Sequence, residues 1–160
     1  MSNVQTHGTS RAPSLVSIFN PVIRRLVGAG VAFGPNVLLT VRGRTSGLPR
    51  TFPVAVVEVH GRRFVQSPFG EVNWVRNLRA AGEAVVSKGR RQETVEAVEI
   101  TPEEGGPILR DALAPYIRSR VLAKVLGRFF DLRSTSTPED YVAEARRHPM
   151  FELRPPTTEH

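Results

Sequence analysis

Runs of apolar residues divide the chain into a strand-rich first part and a helix-rich last part. Apolar positions spaced for one helix face predict an amphipathic helix over residues 15–27. Val-rich runs bounded by Gly and Pro then predict strands near 36–42, 51–59 and 64–67. The sequence therefore predicts a helix followed by a sheet.

A short helix and a second hairpin are predicted next. Asn73 is expected to be the N-cap of the helix, since Asn favours that position and Trp74 opens an apolar stripe after it. Residues 84–87 and 94–100 form the hairpin, which turns at 88–90.

Proline and acidic residues mark where the later helices begin. Thr101-Pro102 and Thr137-Pro138 are each followed by carboxylates, which suit the positive end of a helix dipole. The first helical stretch is expected to break at Pro115, and residues 150–153 are expected to add an edge strand. This order of elements predicts an α+β protein whose antiparallel sheet, of five or six strands, closes into a small barrel. Parallel crossovers are disfavoured because several connections are too short for them.

Composition excludes several kinds of site. The chain has 160 residues, no cysteine and four scattered histidines, so neither disulfides nor a thiolate or histidine metal centre is predicted. No apolar run approaches the roughly 20 residues of a membrane span, and the polar start lacks the apolar core of a signal peptide. A cytoplasmic location is expected.

The net charge of +7 raises the possibility of nucleic-acid binding. Ten cationic and three acidic residues lie between Arg42 and Arg91, and this region accounts for the whole excess. Since aromatic residues are not interleaved with these cations, we do not expect nucleic acid to be the partner. The carboxylates are expected to lie mostly on solvated helix faces, and no hydrolytic constellation is found.

The segment between the first two predicted strands is the most informative one. Gly43, Gly47 and Pro49 build a turn that carries Arg44 and Arg50. Arginine forks suit phosphate or carboxylate, and a Gly-rich turn exposes backbone N–H groups to an anion. The turn is thus interpreted as an anion site, with a merely solvated basic hairpin as the alternative.

A second segment, 67–80, follows the third predicted strand. It joins a Gly/Pro loop to a helix start that carries the only tryptophan, Trp74. A planar ring could lie against Trp74, the loop and Pro53, or Trp74 could simply plug the barrel. An enzyme of this composition would take its chemistry from a bound cofactor.

Residues 43–53 and 73–80, taken together, resemble the deazaflavin-dependent nitroreductase family of actinobacteria. The resemblance covers about 35–100, and residues 143–151 add a weaker similarity. It implies an antiparallel split β-barrel, of the FMN-binding split-barrel-like kind, with flanking helices. It also implies coenzyme F420, an 8-hydroxy-5-deazaflavin with a phospholactyl-polyglutamate tail, with FMN less favoured. Catalytic side chains are not identified by it.

The resemblance implies roles for three groups of residues. Arg44, Ser46 and Arg50, with Thr45 beside them, would hold the phosphate. A strand would line the deazaflavin edge, and a loop and a helix would cover it. The residues of these two groups are Phe52, Pro53, Val54 and Ala55, then Ser67, Pro68, Phe69, Gly70, Asn73, Trp74 and Asn77.

The implied activity is hydride transfer from reduced F420 to a planar small-molecule acceptor: a quinone, a nitro compound or an unsaturated carbonyl. Thr45 and Ala55 stand where the nitroimidazole-reducing members have Lys and Tyr, so reduction of nitroimidazoles in particular is not expected. The alternative is a non-catalytic carrier of F420, a haem-like ring or a lipid.

The resulting domain plan has a disordered lead (1–13), one split-barrel domain (14–154) and a tail (155–160). Within the domain, 14–30 is the amphipathic helix, 35–100 the barrel with its cofactor site and 101–148 a helical cover. The helix over 15–27 either packs on the barrel or touches anionic lipid. A monomer is slightly favoured over a homodimer, with Phe129 and Phe130 as the residues left for a partner or a substrate mouth.

Overall fold

The computed structural model describes residues 36–158, which form six strands and four helices. The helix predicted over 15–27 lies outside the described residues. The strands are β1 (Asn36–Arg42), β2 (Pro49–Val59), β3 (Arg62–Gln66), β4 (Glu83–Lys88), β5 (Arg91–Glu99) and β6 (Met150–Arg154). The helices are α1 (Asn73–Ala81), α2 (Pro102–Ile117), α3 (Arg120–Leu126) and α4 (Pro138–Arg147).

The strands close into an antiparallel barrel in the order β1-β2-β3-β6-β5-β4. This confirms the α+β class and the split barrel with flanking helices. The prediction that 150–153 forms an edge strand is wrong, because Leu153 pairs with Arg63 on one side and with Ala97 on the other. The residues from Met150 to Leu153 are buried on both faces, so this strand lies inside the sheet and closes it.

Alternating side chains on the strands supply two separate cores. Val65 and Phe151 point into the barrel, whereas their neighbours Phe64 and Met150 point outward beneath the helices. The helical cover therefore buries one outer part of the barrel, and the interior is filled independently of it.

Helix α1 begins one residue away from its predicted cap position. Val72, in extended conformation, is the N-cap and supplies no side-chain hydrogen bond, while Asn73 is the first helical residue. Val72 packs against the interior core, which fixes the chain direction before the helix. The expected capping role of Asn73 is therefore wrong.

Helices α2 and α4 start where the sequence places them. Thr101 accepts a hydrogen bond from the backbone N–H of Glu104, and Thr137 forms a capping box with Asp140. Helix α2 continues through Pro115 and ends only at Ile117, so the predicted break at the proline is wrong.

Phe130 does not lie at the surface, contrary to the sequence-based expectation. It is 4% exposed and belongs to the core between barrel and helices, where its ring centroid lies 4.7 Å from that of His148. Phe129 is half-buried and packs edge-on against exposed Phe69, with ring centroids 5.7 Å apart. Only Phe129 is therefore near a free surface.

Candidate active site

The turn between β1 and β2 is compact and presents its side chains to solvent. The backbone N–H of Gly43 donates to Leu48 O at 2.8 Å, and that of Gly47 donates to Gly43 O at 2.8 Å. A Cβ on Gly43 would lie 2.8 Å from Ser46 Oγ and 3.2 Å from Leu48 O, so no larger residue fits without displacement. The residues from Arg44 to Leu48 are exposed.

Arg44 connects this turn to helix α1. Its Nη1 donates to Asn77 Oδ1 at 2.7 Å, and its backbone N–H donates to the same oxygen at 3.2 Å. A longer contact of 3.5 Å joins Nη1 to the carbonyl oxygen of Asn73. Asn77 is 6% exposed, so a buried amide orients an exposed guanidinium. The structure thus brings Arg44, Asn73 and Asn77 together, as the implied site requires.

Two further arginines, Arg42 and Arg50, lie at this end of the barrel. Both are exposed, and neither side chain forms a hydrogen bond or ion pair with another residue between 36 and 158. The Cγ atom of Arg50 lies 3.7 Å from where a Cβ on Gly43 would be. Arg42 was not among the predicted site residues, although its place just before Gly43 is visible in the sequence. Three cations therefore surround the turn, and the partner of Arg44 is a neutral amide.

The loop from Ser67 to Val72 leads from β3 into α1. Ser67 is fully buried, and its Oγ donates to Gly70 O at 2.7 Å. Phe69 is 45% exposed, and Pro68 is half-buried. The hydrogen bond from Arg79 holds the pKa of Glu71, in the same loop, below its usual range. This acid is therefore paired within the protein.

The four predicted residues on β2 face two directions. Phe52 and Val54 pack into the barrel interior, whereas Pro53 and Ala55 lie on the outer face by strand alternation and are half-buried. Only the latter pair has side chains on the outer face of the barrel. Phe52 and Val54 can contribute their backbone there, but not their side chains.

Trp74 lies in the barrel interior. It is 9% exposed, and its ring centroid is 6.5 Å from that of Phe151. Of the two interpretations that the sequence left open, this position favours the plug over a stacking surface for a planar ring.

The expectation that carboxylates are solvated is wrong for two of them. Glu152 is buried and accepts hydrogen bonds from Arg62 and Arg154; chiefly the bond from Arg62 lowers its pKa to about 2. Glu144 is buried beside His148. Sequence reasoning missed Glu152 because its partner Arg62 is 90 residues away in the chain. The i,i+4 spacing of Glu144 and His148 is visible in the sequence, but the burial of the pair depends on the fold.

The described part of the chain holds neither a candidate metal site nor a helix that could span a membrane. Across residues 36–158, no group of three or more His, Cys, Asp or Glu could hold a metal ion. None of the helices in this range has the length and apolar content to cross a membrane.

Solved structures with a similar fold include an F420-H2 dependent reductase, FDR-A, with a TM-score of 0.50 and 21% identity over 75% of this chain and 94% of that one. Another is described as an F420 reductase (TM-score 0.44, 15% identity, 80% and 92% covered). A third is a NimC/NimA family protein from Clostridium acetobutylicum (TM-score 0.47, 12% identity, 82% and 78% covered). No curated protein sequence matches the chain.

A family model described as F420H(2)-dependent quinone reductase matches residues 19–118, which is more than half of the chain. This match supports the cofactor that the family resemblance implied, and it assigns oxidoreductase activity where the sequence had also allowed a carrier. The chain belongs to the family of F420H(2)-dependent quinone reductases, and it is an F420-dependent reductase.

Proposed function

We propose that this protein transfers a hydride from reduced F420 to a planar organic acceptor, and that a quinone is the acceptor to test first. The observation that carries the proposal is the pair of exposed arginines, Arg44 and Arg50, at a glycine turn fixed to helix α1. Nitro compounds and unsaturated carbonyls belong to the same proposed acceptor class.

The residues at the turn fit the phosphate of F420. Within residues 36–158, the guanidinium groups of Arg44 and Arg50 have no acidic partner, so they offer charge-assisted donors. The exposed hydroxyls of Thr45 and Ser46 lie between them in sequence. Gly43 lets the turn close tightly, because a Cβ there would lie 2.8 Å from Ser46 Oγ. We propose that Arg44, Ser46 and Arg50 hold the phosphate, with Thr45 adjacent.

The ring of the cofactor would lie along the outer face of β2. Pro53 and Ala55 present half-buried side chains there, and the backbone of Phe52 and Val54 completes the edge. The Ser67–Gly70 loop, with Pro68 and Phe69 between its ends, would exclude water from the ring. Asn73 and Asn77 would close the site by fixing Arg44, while Trp74 supports α1 from inside the barrel.

The bound cofactor supplies the hydride, so the protein's task is to orient the acceptor and keep water away. Phe69 is exposed, and its contact with Phe129 extends the apolar surface beside the loop. Aromatic rings stack well on planar quinones. We therefore propose that the acceptor binds against this pair.

We also propose that the site is self-contained in a monomer. The residue predicted to seek a partner, Phe130, is covered by its own chain. Sedimentation equilibrium should give a concentration-independent mass near 17.7 kDa. A stable mass of twice that value would contradict the monomer.

Fluorescence titration with F420, run beside FMN, tests the cofactor site. Replacing Arg50 with Ala removes a charge-assisted hydrogen bond worth about 1.5–3 kcal/mol, so the Kd for F420 should rise roughly 10- to 150-fold. Arg90→Ala is the matched control, because Arg90 is equally exposed but lies in the β4–β5 turn at the other end of the barrel.

Equal affinities in Arg50→Ala and Arg90→Ala would place the phosphate elsewhere. Saturable binding of FMN alone would refute the F420 site. Turnover of reduced F420 with menadione, a quinone, tests the proposed class of planar acceptors. Turnover only with acceptors that are not planar would refute this acceptor class.

A further inference from the structure

A buried pair of ionisable residues lies at the end of α4, outside the proposed cofactor contacts. The side chains of Glu144 and His148 are 2% and 10% exposed, and His148 Nε2 lies 3.1 Å from Glu144 Oε2. The other ring nitrogen, Nδ1, lies 3.1 Å from the carbonyl oxygen of Ser67. The imidazole thus bridges α4 and the loop that precedes α1.

The carbonyl neighbour decides which ring nitrogen donates. A carbonyl oxygen can only accept, so Nδ1 carries a proton and donates to Ser67 O. The other nitrogen, Nε2, forms the hydrogen bond to Glu144. Arg147 Nη2 lies 2.8 Å from Glu144 Oε1, as an ion pair without hydrogen-bond alignment. Glu144 and Arg147 thus hold one side of the ring, and the loop holds the other.

Among the described residues, no other hydrogen bond or ion pair reaches the His148 side chain. On α4 it meets Glu144, with Arg147 behind that carboxyl group, and on the loop it meets only the Ser67 carbonyl. From the segment after α3 it meets the uncharged ring of Phe130. The side-chain link between α4 and the loop therefore depends on this one ring.

The loop is held to the end of α4 at three points. Besides the His148 contact, the Ser67 N–H donates to Pro149 O at 3.0 Å. Gly70 passes Arg147 O so closely that a Cβ on it would lie 3.2 Å from that oxygen. Of the three contacts, only the imidazole contact uses a side chain, and so only that one can be removed without altering the backbone.

We propose that His148, whose ring bridges Glu144 and the Ser67 carbonyl, is a positioning residue that fixes the Ser67–Gly70 loop over the cofactor ring. It touches neither cofactor nor acceptor and acts through the Ser67 carbonyl. This inference rests on the proposed function, in which the loop covers the ring while Arg44 and Arg50 provide affinity. Disturbing His148 should therefore affect the rate of hydride transfer more than the binding of F420.

Amide hydrogen exchange of the cofactor-free protein tests directly whether His148 holds the Ser67–Gly70 loop. The N–H groups of Gly70 and Val72 bond within the loop. In His148→Leu, we expect their protection to fall roughly tenfold, the equivalent of one lost hydrogen bond. The N–H of Ala97, which bonds to Gly82 O in the barrel, should keep its protection. Unchanged protection of Gly70 and Val72 would overturn the proposal.

His60→Asn is the matched control. His60 Nε2 also contacts a carboxylate, Asp111 Oδ2, at 2.8 Å, but His60 lies in the β2–β3 turn. Asn is chosen because His60 has a φ of 52°, which Asn tolerates. This variant should leave exchange in the loop unchanged; a loss equal to that in His148→Leu would overturn the local role.

Comparing kcat with the Kd for F420 distinguishes a role of His148 in positioning the loop from a general loss of protein stability. In His148→Leu, kcat with a quinone should fall about tenfold while the Kd for F420 changes less than about threefold, since the arginine turn is untouched. Glu144→Gln keeps a hydrogen-bonding group opposite Nε2 and should therefore keep most of kcat. Equal losses in kcat and F420 affinity would overturn the positioning role.

A direct measurement covers the case in which His148→Leu fails to fold. In the wild-type protein, ¹⁵N chemical shifts of His148 should show a proton on Nδ1, the nitrogen that faces the Ser67 carbonyl; an unprotonated Nδ1 would overturn the proposal. If the wild type bound no F420, the proposed function would fail. The hydrogen-exchange and ¹⁵N results would still show whether His148 holds the Ser67–Gly70 loop.

Discussion

Asn77 is the residue through which the fold orients the proposed phosphate site, and its removal should have two separable effects. The Asn77→Ala change deletes the oxygen that accepts both hydrogen bonds from Arg44, at 2.7 and 3.2 Å. The backbone bond is worth about 1 kcal/mol, and the guanidinium bond about the same once its exposure is allowed for. The free energy of unfolding should therefore fall by about 2 kcal/mol.

For a domain of this size, 1 kcal/mol shifts the melting temperature by about 2–4 °C, so Asn77→Ala should melt about 4–8 °C lower. Arg44 would also lose its fixed rotamer. Ordering such a side chain again on binding costs about 0.5–1.5 kcal/mol, so the Kd for F420 should rise about two- to twelvefold. Thermal melting and fluorescence titration measure the two effects.

Asn77→Asp is the informative companion variant. It keeps an oxygen opposite Arg44, so we expect the melting temperature to stay near the wild-type value. The added negative charge beside the guanidinium should nevertheless weaken binding of the anionic cofactor. If Asn77→Ala melts and binds F420 like the wild type, the link between turn and helix does not organise the site.

Three further outcomes are expected. Gly43→Ala should lower the free energy of unfolding, measured by urea denaturation, by about 1–3 kcal/mol and should weaken F420 binding, because its Cβ would lie 2.8 Å from Ser46 Oγ. Wild-type stability and affinity would contradict the tight turn. The lowered pKa of Glu152, about 2 against an ordinary 4.5 and due chiefly to Arg62, stabilises the protein above pH 4.5, and this stability is lost as the pH falls towards 2. Because solvent screens the exposed partner Arg62, Glu152→Gln should reduce the loss of unfolding free energy at acid pH by only about 1 kcal/mol, measured by urea titration. An unchanged dependence of stability on pH would refute this. Trp74→Phe should lower stability yet leave the Kd for F420 unchanged, since Trp74 lies inside the barrel; a large loss of affinity in titration would instead favour a stacking role.

Local chemistry explains what the sequence could predict. The turn at Gly43 and the helix starts at Thr101 and Thr137 depend on residues within a few positions of one another, so Gly, Pro and Thr identify them directly. The proposed anion site rests on the same kind of local signal, because Arg44 and Arg50 lie in and beside the turn itself.

The remaining features depend on contacts between distant parts of the chain. Arg44 and Asn77 are 33 residues apart, and Ser67 and His148 are 81 apart. No periodicity or propensity encodes such pairs, so Asn77 entered the predicted site only through family resemblance, and His148 not at all. The true place of β6 was missed similarly, since strand pairing across the barrel leaves no local signal.

The position of β6 has a consequence for how the molecule folds. Arg62, on β3, and its partner Glu152, on β6, are 90 residues apart in the chain. Such non-local pairing slows folding, because the entropy of closing a long loop is lost before the contacts form. Until β6 arrives, β3 and β5 each have an unpaired edge that can bind a strand from another molecule. Folding intermediates, rather than the native barrel, are thus the species exposed to aggregation, and yield on refolding should fall as protein concentration rises.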